Sequence, residues 1–171
     1  MKKTIIILLS IIGMMMSFSA KAQDHSKITV GVMGGINVFA EPTFTKDGSA
    51  IAVFPGSSMF FDITVAEFGK GHLTVGGQTG FQTWKNQHFD VTVAPRVTCG
   101  WNVAKGVELH VGATAGLGSS SWRGGGKDYL GFSFSAFGGA EFFFTNHFGL
   151  MLEGGYSDYT PDVNAGLVFR F

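Results

Sequence analysis

Apolar and polar side chains alternate along most of this chain, and the pattern is clearest at its carboxyl end. From position 163 to position 171 every second residue is apolar, namely Val163, Ala165, Leu167, Phe169 and Phe171. The residues between them are Asn164, Gly166, Val168 and Arg170. Successive side chains of a strand point to opposite faces, so this spacing predicts a β-strand with one apolar face. Such a strand suits a wall with hydrocarbon on one side and a wet or tightly packed interior on the other.

Seven further segments alternate in the same way, and together they predict eight strands. Their bounds are 27–37, 58–67, 72–83, 89–101, 107–118, 129–144 and 148–157, followed by 163–171. Pro95 has no backbone N–H, so we expect it to interrupt the ladder of the fourth segment. Eight strands form the smallest outer-membrane barrels. The predicted fold class is therefore all-β, an eight-stranded antiparallel up-and-down transmembrane β-barrel.

The predicted connections between strands are of two lengths. Short turns lie at 69–71, 104–106 and 145–147, whereas longer connections span 38–57 and 119–128. Outer-membrane barrels have short periplasmic turns and longer external loops. An even number of strands returns the chain to its starting side, so we expect both the amino and the carboxyl terminus to be periplasmic.

Aromatic residues collect near both ends of the predicted strands. Near the short turns lie Phe68, Trp101, Phe144, Phe148, Phe169 and Phe171. Near the longer connections lie Phe81, Trp84, Phe89, Trp122, Tyr129 and Tyr156. Aromatic rings favour the two interfaces of a membrane, so this distribution predicts two girdles.

The amino-terminal segment has the pattern of a secretory signal peptide. Two lysines precede an apolar run at positions 5–18, and Ala20-Lys21-Ala22 fits the small-x-small cleavage site. An anchor helix is the alternative, but the run is too short to span a membrane and polar residues follow it. We expect cleavage after Ala22, with residues 1–22 as the signal peptide and residues 23–171 as the barrel.

Composition favours a membrane barrel over a soluble one. Charged residues make up 14% of the chain, against about 25% in soluble domains. A lipocalin-like barrel would place charged residues on its outer face, whereas the less apolar face here is mostly Gly, Ser and Thr. Removal of residues 1–22 leaves 9 basic and 12 acidic residues, a formal net charge of −3, so there is no basic excess for nucleic acid. Cys99, the single cysteine, falls on the predicted lipid face.

The predicted interior face carries the ionisable residues that form the candidate site: Asp62, Asp90, Arg96, Glu108, His110, Glu141, Glu153 and Arg170. These groups are either an acid–base site or a structural network that fills the barrel. The structural interpretation is favoured, because charges buried in a narrow barrel must be paired in any case. In the hairpin of the fourth and fifth segments we expect Thr98 to lie opposite His110. In the second segment we expect Ala66 on the interior face.

The remaining motifs do not indicate a metal or a cofactor. Gly124-Gly125-Gly126-Lys127 departs from the phosphate-binding loop, because Ser121 stands where the first glycine belongs and Asp128 where Ser or Thr belongs. The five histidines lack the spacing of metal ligands.

The aromatic carboxyl-terminal strand, the signal peptide and the eight amphipathic segments together resemble the small outer-membrane β-barrel domain family, with OmpA transmembrane-domain-like and OmpX-like barrels. The resemblance implies that the protein is located in the outer membrane and contacts its lipids. It implies insertion by the barrel-assembly machinery through a signal that contains Phe169 and Phe171. It also implies a non-catalytic structural or surface-interaction role, in adhesion or envelope integrity, with an extracellular partner bound through the loops and no cofactor.

Two other functions stay open at this stage. Outer-membrane enzymes that modify lipid A or phospholipids include barrels of this size, and the deacylases carry a His with a nearby Ser on the lipid face. This chain has no His-x-Ser pair, His110 is predicted to point inward and His147 lies in a turn. A narrow channel is the second alternative, although an eight-stranded barrel is filled by its own side chains.

Overall fold

The computed structural model describes residues 28–36, 56–84, 88–122, 129–158 and 160–171. They form eight strands: β1 (Ile28–Ile36), β2 (Gly56–Phe68), β3 (Gly71–Trp84), β4 (His88–Ala104), β5 (Val107–Trp122), β6 (Tyr129–Phe143), β7 (Phe148–Ser157) and β8 (Val163–Arg170). The expected signal peptide with its cleavage site at Ala22 lies outside the described residues, and so do the side chains of Trp84, Trp122 and Tyr129. No helix in the described part has the length and apolar character needed to cross a membrane.

The sheet closes into a barrel because β1 pairs with both β2 and β8. Gly31, for example, lies between Phe60 of β2 and Val168 of β8. Every pair of neighbouring strands is antiparallel, and the order around the barrel follows the order in the chain. The predicted number, order and direction of the strands are thus confirmed.

The strands differ in length, and four of them, β2 to β5, exceed their predicted bounds, β4 and β5 by the most. β4 has 17 residues and β5 has 16, whereas β1 has 9 and β8 has 8. β5 continues through Ser119–Ser121, which composition predicts to be loop. These serines pair with Phe89–Val91 of β4. Serine has little preference for strands, so here the neighbouring strand and not local propensity sets the end of β5.

Two local irregularities interrupt the ladders. The expected interruption at Pro95 is confirmed on the β5 side, where Ala94 and Pro95 have no register partner, whereas Pro95 keeps its pairing with Gly77 of β3. In β2 a bulge falls between Thr64 and Ala66. The extra residue turns Ala66 away from the interior face, where the simple alternation places it, and Ala66 is exposed.

The barrel is polar inside and apolar outside. Among the described residues, twenty-seven large hydrophobic side chains are exposed and six hydrophobic residues are buried, whereas twenty-two polar or charged residues are buried. A soluble domain has the opposite distribution. The predicted alternation therefore assigns the two faces correctly along the strands, apart from the bulge in β2. Cys99 lies on the outer face, as predicted, beside Leu73 and Val111.

The two ends of the barrel are built differently. One end, called the short-turn end, carries tight turns at Gly69-Lys70 and Lys105-Gly106 and the connection between β6 and β7. Gly69 and Gly106 adopt positive φ angles of 60° and 73°, which glycine accepts without steric cost. The opposite end, called the loop end, is formed by the carboxyl ends of β1, β3, β5 and β7 and the amino ends of β2, β4, β6 and β8. The amino end of β1 and the carboxyl end of β8 meet at the short-turn end, where Ile28 and Phe171 exchange backbone hydrogen bonds.

Exposed aromatic rings lie near both ends. Phe68, Trp101, Phe144 and Phe171 are exposed near the short-turn end, and Phe81, Phe89 and Tyr156 are exposed toward the loop end. The Phe148 and Phe169 rings contact each other in a tilted arrangement with 5.3 Å between their centroids. These seven exposed rings thus lie at the positions expected of two interfacial girdles.

The connection between β7 and β8 folds into the mouth of the barrel. Thr160, Pro161 and Asp162 are all buried. A Cβ atom added to Gly35 or Gly56 would collide with the Pro161 ring, so glycine at both positions makes room for this connection. The Asn164 side chain donates a hydrogen bond to the Pro161 carbonyl at 2.8 Å and fixes the turn.

The inverted distribution of polarity predicts the effect of a charge on the outer face. Val111 is the fifth of the 16 residues of β5, and its side chain points outward. Val111→Arg is expected to destabilise the barrel by about 2–4 kcal/mol in lipid vesicles, because the guanidinium would lie in hydrocarbon. Urea titration of the vesicle-inserted protein measures this difference, with Val111→Leu as the matched control. Equal stability of the arginine and leucine variants would contradict a lipid-facing β5.

Candidate functional site

The centre of the barrel is occupied by the guanidinium of Arg96, which is 1% exposed. Its Nε donates to Oδ2 of Asp62 at 3.1 Å and its Nη1 donates to Oε1 of Gln78 at 2.8 Å. Both terminal nitrogens also donate to the carboxylate of Glu153, Nη1 at 3.4 Å. Four strands therefore supply this one cluster, because Asp62 lies on β2, Gln78 on β3, Arg96 on β4 and Glu153 on β7.

Two phenylalanine rings complete the surroundings of Arg96. The guanidinium carbon lies 4.3 Å from the centroid of Phe60 and 4.2 Å from the centroid of Phe137. At these distances the ring faces attract the cation and exclude water from it. Glycines make room for both rings, since a Cβ atom at Gly31 would overlap Phe60 and one at Gly112 would overlap Phe137.

A second cluster surrounds Arg170 near the short-turn end. Its Nη2 donates to Oε2 of Glu108 at 2.6 Å and to Oε2 of Glu141 at 2.7 Å. The other oxygen of Glu108 lies 3.1 Å from Nε2 of His72. The Phe143 ring covers the guanidinium at 3.8 Å. Each arginine thus holds two carboxylates and lies against at least one aromatic ring.

His110 lies between the two clusters. Its Nε2 is 3.0 Å from Oε1 of Glu153, which belongs to the Arg96 cluster. Its Nδ1 is 4.0 Å from Oε1 of Glu141, which belongs to the Arg170 cluster. The imidazole also meets the Phe137 ring edge to face. The ionisable groups therefore run as one continuous series from Asp62 to His72.

Hydroxyl groups extend the network at its edges. Oγ1 of Thr98 donates to Oδ2 of Asp62 at 3.1 Å, and Oγ1 of Thr74 donates to Thr98 at 3.0 Å. Asp90 lies apart from both clusters, toward the loop end, and accepts a hydrogen bond from Ser120 at 2.5 Å. The structure thus brings together seven of the eight residues named from the sequence and places Asp90 elsewhere on the same interior face.

The predicted register of the hairpin between β4 and β5 is wrong by two residues. His110 lies opposite Gly100 and Thr98 lies opposite Gly112. These pairs are the ones that a turn centred on Lys105 gives, whereas the predicted pair would need a turn centred one residue earlier. The register shifts by one residue between Asn102 and Ala104, where Val103 has no register partner on β5. The glycine opposite His110 leaves space that the side chains of His72 and Glu108 occupy.

Sequence reasoning missed five members of the network: His72, Gln78, Phe60, Phe137 and Phe143. Alternation alone assigns each of them to the interior face, because each shares the parity of an interior residue on its own strand. The aromatic residues and the histidine were not recognised because their residue types are usually found elsewhere in a membrane barrel. Aromatic side chains in a membrane barrel suggest the lipid face, and a histidine at the end of a strand suggests a turn.

The network fills the lumen, and each of its carboxylates is paired with an arginine. Oδ1 of Asp62 and Nδ1 of His110 are buried without a hydrogen-bond partner among the described residues. Glu108, Glu141, Glu153 and Asp62 each accept a hydrogen bond from an arginine. Within the described ranges there is no group of three or more His, Cys, Asp or Glu side chains arranged to hold a metal ion. A cavity of about 20 Å³ lies between Glu153 and the β7–β8 connection, lined also by Asp162 and Asn164. It has room for about one water molecule.

Comparison with known proteins identifies the fold. No protein-family model matches this chain, and no curated protein matches it in sequence. The crystal structure of Ail, the attachment invasion locus protein of Yersinia pestis, matches with a TM-score of 0.55 at 15% identity, over 87% of this chain and 99% of that one. The backbone structure of Ail, an outer membrane protein, in a phospholipid bilayer nanodisc matches with a TM-score of 0.48 at 12% identity, over 86% and 100%. Ail in complex with the heparin analogue sucrose octasulfate matches with a TM-score of 0.46 at 19% identity, over 85% and 97%.

The Arg96 cluster predicts a strong and partly reversible loss of stability. Arg96→Met should destabilise the barrel by about 3–5 kcal/mol, because Asp62 would keep a buried charge with a single hydroxyl donor. Glu153 retains His110 as a partner, so Asp62 is the carboxylate to remove second. Arg96→Met combined with Asp62→Asn should recover part of the loss, and urea midpoints of the four proteins of this cycle measure the coupling.

Asp90→Asn is the matched control for this cycle, since Asp90 lies outside both clusters and keeps an oxygen that accepts from Ser120. We expect it to change stability by about 1 kcal/mol or less. Strictly additive effects of Arg96→Met and Asp62→Asn would show that the two side chains do not stabilise each other.

Proposed function

We propose that this protein is a non-catalytic outer-membrane β-barrel with a surface-interaction role, in adhesion or envelope integrity. The observation that carries the proposal is the inverted polarity of a closed barrel, with apolar side chains outside and a paired ionic network inside. A protein of this kind is stable where hydrocarbon surrounds it and would expose a continuous apolar surface in water.

The shared fold supports this assignment. Ail is an attachment and invasion protein, and its barrel aligns over nearly its whole length with this one. At 15% identity the likeness concerns the fold, so attachment is part of our proposal for this chain. The closed eight-stranded architecture is also what we expect of an OmpA transmembrane-domain-like or OmpX-like barrel.

The orientation that we propose follows from the two ends of the barrel. The short-turn end, where both ends of the described chain meet, faces the periplasm, and the loop end faces outward to an extracellular partner. Residues 1–22 direct export, and the barrel-assembly machinery reads a signal that includes Phe169 and Phe171. The Phe171 side chain is exposed beside the strand end, where another protein can reach it.

The absence of catalysis is proposed from the state of the ionisable groups. Acid–base catalysis needs a group that can exchange a proton with a substrate within hydrogen-bond reach. The carboxylates of both clusters are engaged by arginines, and aromatic rings cover the guanidinium groups. The same packing leaves little free volume in the lumen, so neither a lipid-modifying enzyme nor a channel is favoured.

Export and insertion are tested by the fate of the chain in cells. We expect a mature protein that begins at Gln23, fractionates with the outer membrane and shifts its gel migration on heating. Phe171→Asp should lower the amount of folded barrel because a charge would replace the exposed ring, and Phe171→Tyr is the control. Normal assembly of Phe171→Asp would contradict the proposed signal.

The surface role is tested by deletion of the gene. We expect the deletion strain to bind less to host cells or to have a more permeable envelope, with unchanged lipid A and phospholipid composition by mass spectrometry. Altered lipid acylation without a change in binding or permeability would favour the enzyme instead.

A further inference from the structure

Negative charge exceeds positive charge in the buried interior of the barrel. Six carboxylates and two guanidinium groups are buried among the described residues. The formal excess is four negative charges when the two buried histidines are neutral, and two imidazolium groups would balance only half of it. Buried charge is costly unless an opposite charge lies beside it. The charge balance of the described interior therefore favours a further cation.

Several buried oxygen atoms in the lumen also have no hydrogen-bond partner. In the described part of the chain they are Oγ of Ser58, Oδ1 of Asp62, Oε1 of Gln82 and Oδ1 of Asn164. Ser58, Gln82 and Asn164 lie toward the loop end. Carboxylate and amide oxygens can only accept, so a donor or a cation has to satisfy them. The surplus of acceptors thus accompanies the surplus of negative charge.

The cavity beside the β7–β8 connection brings one of these oxygens close to two carboxylate residues. Asn164 lines this cavity together with Glu153 and Asp162. The Asn164 side chain is buried, and its Nδ2 is engaged by the Pro161 carbonyl. This hydrogen bond fixes the orientation of the amide and leaves Oδ1 as the atom without a partner.

Both carboxylate residues are suited to hold a cation there. Oε1 of Glu153 accepts from Arg96 and His110, whereas Oε2 has only the long 3.4 Å contact with Nη1 of Arg96. Asp162 is buried, and its main-chain carbonyl accepts from the Gly155 N–H at 2.8 Å, which fixes its position. The described residues that line the cavity include no Lys, Arg or His.

The size and chemistry of the cavity select the occupant. A volume of about 20 Å³ admits one water molecule or one ion. Water would satisfy the oxygens but would leave the excess charge unbalanced. Zinc prefers His and Cys ligands, and the described lining has neither. Magnesium requires a nearly ideal octahedron, whereas calcium accepts irregular sets of carboxylate, amide and water oxygens at about 2.3–2.6 Å.

We propose that the cavity between Glu153 and the β7–β8 connection is a calcium site. Its protein ligands are side-chain oxygens of Glu153, Asp162 and Asn164, and water completes the coordination. This set contains two carboxylates and one amide, so it differs from a cluster of three or more His, Cys, Asp or Glu side chains, which the described residues do not form. The ion joins β7, β8 and their connection, and it thereby holds Pro161 in the mouth of the barrel.

The proposal goes beyond the surface role, although it uses the proposed orientation to set the expected affinity. In that orientation the loop end faces the external medium. Calcium sites of extracellular modules have dissociation constants of about 10⁻⁴–10⁻³ M, and we expect a value in this range. Bound calcium should raise the thermal midpoint of the barrel, because the site exists only in the folded protein.

The experiment uses the folded barrel, treated with a chelator, in nanodiscs of phosphatidylcholine, which has no net charge. Titration with calcium chloride is followed by calorimetry and by amide chemical shifts in NMR. We expect one calcium ion per barrel and shifts confined to residues 153–155 and 160–164. Magnesium chloride should bind at least about tenfold more weakly.

One variant and a matched control test the ligands. Asp162→Asn keeps the size of the side chain and removes its charge, so calcium affinity should fall by about tenfold or more. Asp90→Asn removes another buried carboxylate near the loop end that does not line the cavity, and it should keep the wild-type affinity. Heat-modified gel migration establishes folding of both. If Asp162→Asn does not fold, the shifts of the wild-type barrel locate the site.

Four results would overturn the proposal: no saturable binding up to about 10 mM calcium, equal affinity for calcium and magnesium, wild-type affinity of Asp162→Asn, or shifts outside the two segments. The first result would mean that the cavity holds water only. The measurement needs no host cell. Calcium binding by the purified barrel together with a deletion strain that behaves as wild type would contradict the surface role and keep the calcium site. A deletion phenotype without calcium binding would do the reverse.

Discussion

The constraint on which this structure depends is the burial of the Arg96 guanidinium. A buried cation is tolerated only when its donors and its charge are satisfied. Its hydrogen-bond partners come from β2, β3 and β7, and its aromatic neighbours come from β2 and β6. The contact with Glu153 crosses the lumen from β4 to β7, so it forms only when the sheet has curved until these two strands face each other. Curvature of the sheet and satisfaction of this cation are thus coupled.

The other interior features follow from the same constraint. His110 contacts Glu153 of the Arg96 cluster at 3.0 Å and Glu141 of the Arg170 cluster at 4.0 Å. The Arg170 cluster is therefore coupled to the centre of the barrel through His110. Large side chains fit in this narrow lumen where their partner on the adjacent strand is glycine, as Gly31 is for Phe60 and Gly112 is for Phe137. The abundance of glycine in the composition is therefore explained in part by the size of the side chains in the lumen.

Alternation predicts the faces of the strands because a period of two is a local property of the chain. It assigns Asp62, Arg96 and Glu153 to the interior without any knowledge of the barrel. It does not predict which of them meet, because contacts across the lumen depend on how all eight strands are staggered. The bulge in β2 and the shifted register near Asn102 have the same origin: one extra residue changes every pair beyond it. The end of β5 could not be predicted from the sequence, because Ser119–Ser121 are extended through their pairing with β4 and not through their own strand propensity.

The β7–β8 connection has a practical consequence for engineering. Surface display of foreign peptides relies on insertion into a connection that contributes nothing to the fold. Thr160, Pro161 and Asp162 are buried in the mouth, where Pro161 packs against Gly35 of β1 and Gly56 of β2 and Thr160 packs against Gly80 of β3. An epitope inserted between Ser157 and Val163 would displace these buried residues from the mouth. Whether the barrel still folds would then depend on the sequence of the inserted epitope. This connection is therefore a poor acceptor site, although it is short, lies at the loop end and looks dispensable in the sequence.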